Sequence, residues 1–377
     1  MAQVIVKKKR YRLKGGDFVL TALVAALVVF GVIMVFSASY YASISETGDP
    51  YEYLKSSIMW ACIGAVAMTF CTFFDYHAYQ KMAIPILVVS FVLLGLIFTP
   101  LGITRNNATR WLGMEGFPIT LMPGEIAKIC AIIFVAWFLS RDPKRIRSFL
   151  KGVLPLIVLA GAYFLLIFKQ PNLSTALTLL LIIIGMMFVA GLSWWYVIAA
   201  GGAGVAGFFA LKIFDPEGYM MGRIMSFTDP FADPLGDGWQ VIQGLLALGS
   251  GGLFGKGLGK SIQKTLYLPE PQNDFILAII GEELGFVGCF LLIAVYIVLI
   301  WRCCHITLNA PDLFGTLLAS GITIMLALQV VLNIAVVTSS MPPTGIALPF
   351  VSYGGNSLLI FMASMGILLN ISRQSAK

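Results

Sequence analysis

The sequence predicts an all-α polytopic membrane protein with about ten transmembrane helices and a large extracytoplasmic loop between helices 7 and 8. Composition is the first observation: 59% of the 377 residues are hydrophobic and only 11% are charged. A soluble domain carries about 25% charged residues, so this chain is too apolar for that class. The second observation is that apolar stretches of about 20 residues, the length that crosses a bilayer as a helix, recur along the chain.

The predicted spans form a single membrane domain over 18–372, with a cytoplasmic tail at 1–17 and another at 373–377. The longest polar stretch, the extracytoplasmic loop 215–273, is rich in Gly and Pro and is predicted to be a structured loop. In chain order the spans are placed at 18–39, 55–74, 83–101, 124–140, 150–168, 173–190, 192–214, 274–300, 312–338 and 355–372.

Basic residues determine the predicted orientation. The first span follows a basic run from Lys7 to Lys14, and the positive-inside rule therefore places the N-terminus in the cytoplasm. Alternation of the spans puts the basic stretch 141–151 and the C-terminus on the same side. The net charge of +7 is thus explained by membrane topology, and a nucleic-acid partner is not predicted.

Two irregular segments outside the spans are expected to have particular positions. Segment 339–354 is rich in Pro and Gly but too apolar for an exposed loop. Non-helical backbone at membrane depth must be covered by protein or water, so this segment is predicted to be a re-entrant or cavity-lining turn. The amphipathic stretch 238–250 is predicted to lie at the membrane interface.

Charged residues at the predicted outer ends of spans are the main candidates for function, because a charge in a span is costly unless it is paired or hydrated. Glu125 and Lys128 are three residues apart and share a helix face. One interpretation is a mutually neutralising pair that locks helices together. The other is a polar patch facing a cavity that binds an anionic head group, and the two are compatible.

Asp274 opens the eighth predicted span. From spacing alone, an N-cap that satisfies backbone donors is the favoured interpretation. The alternative is a general base, since partial desolvation at a membrane surface raises a carboxyl pKa toward the working pH. Glu282 and Glu283 lie deeper and point about 100° apart, so helix packing is favoured over a paired carboxylate site for them.

The remaining candidates for function are positive charges and possible metal ligands. The glycine-rich run 249–260 is similar to a phosphate cradle, but it lacks the G-x-x-x-x-G-K-[ST] pattern and is weak evidence by itself. No cysteine falls in an outer loop, both histidines fall on the inner face, and no metal spacing is present. Basic residues of the predicted outer segments are Arg105, Arg110, Lys169, Arg223, Lys256, Lys260 and Lys264.

Several specific motifs follow one another along nearly the whole chain. The most specific are Gly249–Gly259, Gln263-Lys264 with Tyr267-Leu268-Pro269-Glu270, Asp274-Phe275 with Gly281-Glu282-Glu283-Leu284-Gly285, and Pro343-Thr344-Gly345 with Leu348–Gly355. Earlier in the chain are Asn107–Trp111, Pro123 with Glu125 and Lys128, and Gln170-Pro171. In this order the motifs resemble the SEDS family of bacterial cell-wall polymerases, the group of FtsW, RodA and SpoVE.

The resemblance implies a ten-helix fold in the bacterial cytoplasmic membrane and an inverting peptidoglycan glycosyltransferase that polymerises lipid II on the extracytoplasmic face. Asp274 matches the family's essential aspartate, so a catalytic role replaces the N-cap as the favoured interpretation. It would accept the proton of the acceptor sugar 4-hydroxyl, and basic residues would stabilise the leaving pyrophosphate. The predicted substrate-binding residues are Glu125, Lys128, Arg110, Arg223, Lys264 and Ser352.

The family also implies a class B penicillin-binding protein as partner. No cofactor is evident; a divalent cation at the pyrophosphate is compatible with the chemistry, but no carboxylate cluster indicates one. Asn172 stands where the family usually has Asp. The end of the first span, Val35–Ser39, is closer to the division and sporulation branch than to the elongation branch.

Two rival functions remain open at this point. A lipid II flippase would also have many helices and a polar cavity, but it is expected to place ionisable residues along a path to both faces. The charges here cluster toward one face, which favours chemistry there. A scaffold that only anchors a partner would not need the Glu125/Lys128 pair and ranks last.

Overall fold

The computed structural model describes residues 16–105, 108–113, 120–202, 204, 222, 227–234, 236 and 238–375. Their helices are α1 Phe18–Thr47, α2 Glu52–Phe73, α3 Tyr76–Lys81, α4 Ala83–Leu96, α5 Pro123–Arg141, α6 Leu154–Phe168, α7 Leu173–Val189, α8 Trp239–Ser250, α9 Ile276–Leu308, α10 Leu313–Val337 and α11 Gly355–Gln374. A 3₁₀ turn at Arg145–Arg147 and a π turn at Phe149–Val153 lead into α6.

Seven of the described helical segments are long and apolar enough to cross a membrane, and two shorter apolar helices, α4 and α7, fall where spans were predicted. The predicted span 192–214 lies partly outside the described residues, as does the first part of the loop 215–273. A mostly helical membrane fold is therefore confirmed, with one short hairpin that the all-α prediction did not include, whereas the count of ten spans and the extent of the large loop stay predictions.

Three predicted span ends were wrong: α1 continues beyond residue 39 to Thr47, and the other two have identifiable reasons. The span predicted to reach residue 101 ends at Leu96, where a turn leads into Pro100, which cannot continue a helix. The span predicted to end at residue 300 continues to Leu308. Within this extension Arg302 Nε lies 2.6 Å from Oδ2 of Asp17, the N-cap residue of α1, so the charge is paired rather than exposed.

Buried helices form the centre of the bundle. The helices α5, α10 and α11 bury most of their surface, whereas α2 leaves most of its surface outside the protein. Glycine allows α2 and α11 to approach closely, since a Cβ on Gly64 would lie 2.4 Å from Met362 Sδ. Small residues at helix contacts are the usual means of packing in lipid, where the hydrophobic effect does not drive helix association.

A short hairpin precedes α5. Strand β1, Gly102–Arg105, pairs antiparallel with β2, Ala108–Leu112, and Leu112 also exchanges backbone hydrogen bonds with Leu121. Pro123 then begins α5, where the missing N–H of proline costs nothing. The hairpin thus continues directly into the helix that carries Glu125 and Lys128.

Helix α9 is interrupted at Gly285, which has φ 71°. Backbone groups of the glycine-rich segment 249–259 form hydrogen bonds with α9 residues on both sides of this interruption. The amides of Lys256 and Gly257 donate to the carbonyls of Glu282 and Glu283 at 2.9 and 3.0 Å. In return, the amides of residues 286 and 287 donate to the carbonyls of residues 252 and 253. The backbone groups released by the kink are therefore satisfied inside the protein.

Substitution of Gly251 by Ala is expected to destabilise this junction by about 1–3 kcal/mol, because overpacking a close backbone contact forces the chain apart. A Cβ on Gly251 would lie 1.9 Å from the carbonyl oxygen of Gly281. Gly249→Ala is the matched control, since nothing lies within 4 Å of its Cβ position. Thermal unfolding in detergent should show a lower Tm for Gly251→Ala only; equal Tm values would refute the close packing.

Candidate functional site

Glu125 and Lys128 form a buried ion pair at the start of α5. Lys128 Nζ lies 2.9 Å from Glu125 Oε1, and the two side chains are 2% and 9% exposed. Lys128 also donates to Gln329 Oε1 on α10 at 2.9 Å. Glu125 Oε2 is buried and has no hydrogen-bond partner among the described residues. The pair therefore joins two helices and leaves one carboxylate oxygen able to accept a further hydrogen bond.

Two amide side chains of α10 extend this network to the segment before α11. Gln329 and Asn333 are four residues apart and lie on the same face of α10. Gln329 Nε2 donates to the carbonyl of Ala347 at 3.3 Å, and Asn333 Nδ2 donates to the carbonyl of Ile346 at 2.7 Å. Segment 346–354, whose apolar side chains are largely buried, is thereby held against α10 as the prediction of a protein-covered turn requires.

Asp274 joins the same network through its backbone. Asn333 Nδ2, which bonds Ile346, also donates to the Asp274 carbonyl oxygen at 2.8 Å. The Asp274 side chain is half-buried, and its Oδ2 lies 3.9 Å from the Cβ position of Gly345. The N-cap position of α9 belongs to Phe275, which makes no side-chain cap hydrogen bond. The carboxylate thus faces the segment that α10 holds.

Arg110 lies at the same end of the bundle, on β2. Its guanidinium donates to the carbonyl oxygen of Pro171, the residue before the Asn172 cap of α7. A Cβ on Gly124 would lie 3.1 Å from Thr175 Cγ2, so the first turns of α5 and α7 are in contact. Arg110 is therefore close to the start of α5, and Asn172 has a structural role as an N-cap that accepts from the Thr175 amide.

The remaining predicted substrate-binding residues are placed differently. Ser352 Oγ accepts a hydrogen bond from the Leu348 amide at 2.8 Å, which stabilises the turn of segment 346–354. Lys264 Nζ is buried, 2.7 Å from Glu283 Oε1 and 3.0 Å from Ser37 Oγ. Arg223 lies outside the described residues. The ion pair gives Lys264 a structural partner, and its assignment to substrate binding stays a prediction.

Glu282 also has a structural environment. Its carboxylate is fully buried and accepts from Lys256 Nζ at 2.7 Å and from the amides of Ile262 and Gln263 at 3.0 and 3.2 Å. Glu282 and Glu283 therefore bind two different lysines, in agreement with the prediction that they do not form one carboxylate site. The same contacts assign the glycine-rich segment to packing rather than to phosphate binding, since its amides at 256 and 257 are already used.

Gln329 and Asn333 are the members of the network that the sequence reasoning missed. Both interrupt an apolar span and are almost completely buried. Polar amides four residues apart in a span indicate a contact with another helix or with irregular backbone. That spacing was available in the sequence and would have linked α10 to the Asp274 region.

The arrangement combines groups suited to a proton transfer. Asp274 offers a half-buried carboxylate on a fixed backbone, and Glu125 offers an unpartnered carboxylate oxygen. Arg110 provides positive charge at the same end of the bundle, where the charge of Lys128 is paired with Glu125. No cluster of three or more His, Cys, Asp or Glu able to hold a metal ion is present in the described part of the chain.

Comparison with other sequences gives matches over almost the whole chain. The family model FTSW_RODA_SPOVE, described as "Cell cycle protein", matches residues 18–377. Stage V sporulation protein E of Bacillus subtilis (strain 168) is 43% identical over 360 residues, covering 95% of this chain and 97% of that protein. The probable peptidoglycan glycosyltransferase FtsW of Trichlorobacter lovleyi is 41% identical over 368 residues, covering 97% and 96%.

Solved structures with the same fold agree with these matches. A chain from "Structural coordination of polymerization and crosslinking by a peptidoglycan synthase complex" superposes with a TM-score of 0.78 at 28% identity, covering 95% of this chain and 98% of that chain. The crystal structure of rod shape determining protein RodA from Thermus thermophilus superposes with a TM-score of 0.70 at 28% identity, covering 96% and 98%.

Proposed function

This chain belongs to the FtsW/RodA/SpoVE family of cell cycle proteins, and on that membership we propose that it is a peptidoglycan glycosyltransferase that polymerises lipid II. Relatives with the names FtsW and SpoVE match almost their full lengths, which supports a role in cell division or sporulation. The protein is a multi-pass membrane protein. We place its reaction at the extracytoplasmic face, with ten spans and both termini in the cytoplasm.

The observation that supports the proposal most is the hydrogen-bond network in which Asn333 donates to the carbonyl oxygens of both Asp274 and Ile346. Asp274 accepts the proton of the acceptor sugar 4-hydroxyl as that oxygen attacks the anomeric carbon of the donor. The new C–O glycosidic bond forms while the bond from the anomeric carbon to the phosphate oxygen breaks, with inversion. The pyrophosphate leaves with its lipid. A positioned general base of this kind contributes about 100- to 10,000-fold to the rate.

The other polar groups have supporting roles in this proposal. Glu125 Oε2 is the acceptor available to a sugar hydroxyl, because its other oxygen is occupied by Lys128. Lys128 holds Gln329, which in turn fixes Ala347 in the segment that Asp274 faces. Arg110 and Arg223 stabilise the charge that develops on the leaving pyrophosphate. Any divalent cation would act at that pyrophosphate rather than in a protein cluster.

The solved relative that is part of a peptidoglycan synthase complex supports a protein partner for this chain. The partner proposed for this chain is a class B penicillin-binding protein, which crosslinks the strands that the present chain polymerises. The weakly buried surface of α2 is available either to lipid or to such a partner.

The proposal is tested by incubating purified protein and partner with lipid II, in detergent and in sealed vesicles. Glycan strands on a gel are expected, with little lipid II moved across the vesicle membrane. Movement of lipid II without polymer would instead support the flippase function and overturn the proposal.

A further inference from the structure

A polar cavity lies beside the segment that leads to Asp274. Its volume is about 130 Å³, and it is formed by the end of α1 and the loop before α9. Two carboxylates, Glu46 and Glu270, line it. The residues that line the cavity are Ala42, Ser45, Glu46, Lys264, Leu266, Leu268, Pro269, Glu270, Pro271 and Gln272.

A separate observation concerns a buried hydrogen-bond acceptor in the cavity for which the described chain supplies no donor. Gln272 is fully buried and lines the cavity, yet its Oε1 has no hydrogen-bond partner among the described residues. Its Nε2 donates to Glu270 Oε2 at 3.1 Å, which fixes the orientation of the amide. A buried acceptor without a donor costs about 1–3 kcal/mol, so a bound donor would relieve this cost.

The charges around the cavity are not balanced from within the described chain. Neither Glu46 nor Glu270 belongs to an ion pair among the described residues. Lys264 also lines the cavity, but its charge is neutralised by Glu283 at 2.7 Å. Partial desolvation in the cavity raises the pKa of Glu270, whose side chain still reaches the surface, and the negative charge of Glu46 raises it further. A cation in the cavity would relieve this repulsion.

The free acceptors match one kind of cation. Tyr53 donates to Glu46 Oε2, and Gln272 and Asn273 donate to Glu270 Oε2. The other oxygen of each carboxylate and the Oε1 of Gln272 remain, which makes three acceptors. A primary ammonium group has three N–H donors. The described chain brings no third carboxylate, His or Cys to the pair, and the apolar walls of the cavity favour an organic cation over a metal ion.

The apolar walls of the cavity are suited to the hydrocarbon stem that would carry the ammonium group. Leu266, Leu268, Pro269 and Pro271 provide apolar surface next to the acidic end. A flexible methylene stem packs on such surface while its charged head reaches polar partners. The cavity therefore has the apolar walls and polar end that a lysine-like side chain requires.

We propose that this cavity binds the primary ammonium group of an amine-bearing side chain in the peptide part of the glycolipid precursor. The peptide source rests on the proposed function, whereas the recognition of an alkylammonium group rests on the cavity itself. The Gln272 carbonyl accepts from the Tyr353 amide at 2.8 Å, and Asp274 follows two residues later. A peptide held here would lie next to the carboxylate that accepts the sugar proton.

Binding of two soluble peptides to the full-length protein in detergent tests the proposal. Both are pentapeptides with an acetylated N-terminus and one internal lysine, and both lack sugar and lipid; in one the ε-amine is free and in the other it is acetylated. The free-amine peptide is expected to bind about tenfold more tightly, the equivalent of one charge-assisted hydrogen bond. Saturation-transfer NMR titrations measure both dissociation constants, and equal affinities would overturn the proposal.

Variants of the two carboxylates test whether this cavity causes the preference for the free amine. Glu270→Gln and Glu46→Gln should each remove the preference for the free amine, whereas Glu52→Gln, an exposed glutamate outside the cavity, should retain it. A preference unchanged in both cavity variants would also overturn the site. The wild-type comparison stands even if a variant fails to fold. Since no polymerisation is needed, amine discrimination without glycan synthesis would reject the proposed function and keep the ammonium site.

Discussion

Asp274→Asn is expected to lower the rate of glycan-strand formation about 100- to 10,000-fold, the usual contribution of a general base. Asn keeps the size of the side chain and the backbone hydrogen bond from Asn333, which reaches the Asp274 carbonyl rather than its carboxylate. The variant should therefore fold normally. Single-turnover polymerisation with saturating lipid II isolates the chemical step from substrate binding.

Asp229→Asn serves as the control for this prediction, because Asp229 is exposed in the same long loop. Its polymerisation rate should match that of the wild type. If the Asp274→Asn variant instead keeps more than about a tenth of the wild-type rate, general-base catalysis by this carboxylate is rejected.

Lys128→Met is expected to destabilise the protein by about 3–5 kcal/mol, because it leaves Glu125 buried without its counter-charge. Lys128 is 2% exposed and also holds Gln329. The double variant with Glu125→Gln should recover most of the lost stability, since no buried charge then remains. Thermal unfolding in detergent measures both effects, and activity of the double variant should stay low because Gln329 has lost its donor.

An exposed ion pair provides the comparison. Lys55 Nζ lies 2.7 Å from Asp49 Oδ2, and its side chain is 70% exposed. Lys55→Met should change the Tm little, because exposed pairs are screened by solvent. A Tm for Lys128→Met as high as that for Lys55→Met would show that the buried pair does not lock α5 to α10.

The sequence predicted the membrane fold well because hydropathy depends on local composition. Spans around α1, α5 and α10 were placed within a few residues, except where α1 continues to Thr47. The glycine-rich segment was misleading for the opposite reason. Its similarity to a phosphate cradle is local, whereas its partners are carbonyls of α9 more than twenty residues away.

The candidate site was predicted only where its contacts are local in the sequence. Glu125 and Lys128 pair within one helix turn, so their spacing was sufficient. Asn333 contacts Asp274 across 59 positions of sequence, which no spacing rule can reveal. Lys264 was predicted to bind substrate because its spacing does not reveal its partners, Glu283 on α9 and Ser37 on α1. Long-range partners decide whether a basic side chain is available to substrate.

The most direct test of a single active site at Asp274 is a cryo-EM structure of the Asp274→Asn variant with lipid II bound. We expect the acceptor 4-hydroxyl within hydrogen-bond distance, about 3 Å, of the side chain at position 274. We also expect the donor pyrophosphate at the end of the bundle that carries Arg110 and Lys128. Lipid II bound elsewhere, with position 274 remote from both sugars, would contradict catalysis by Asp274.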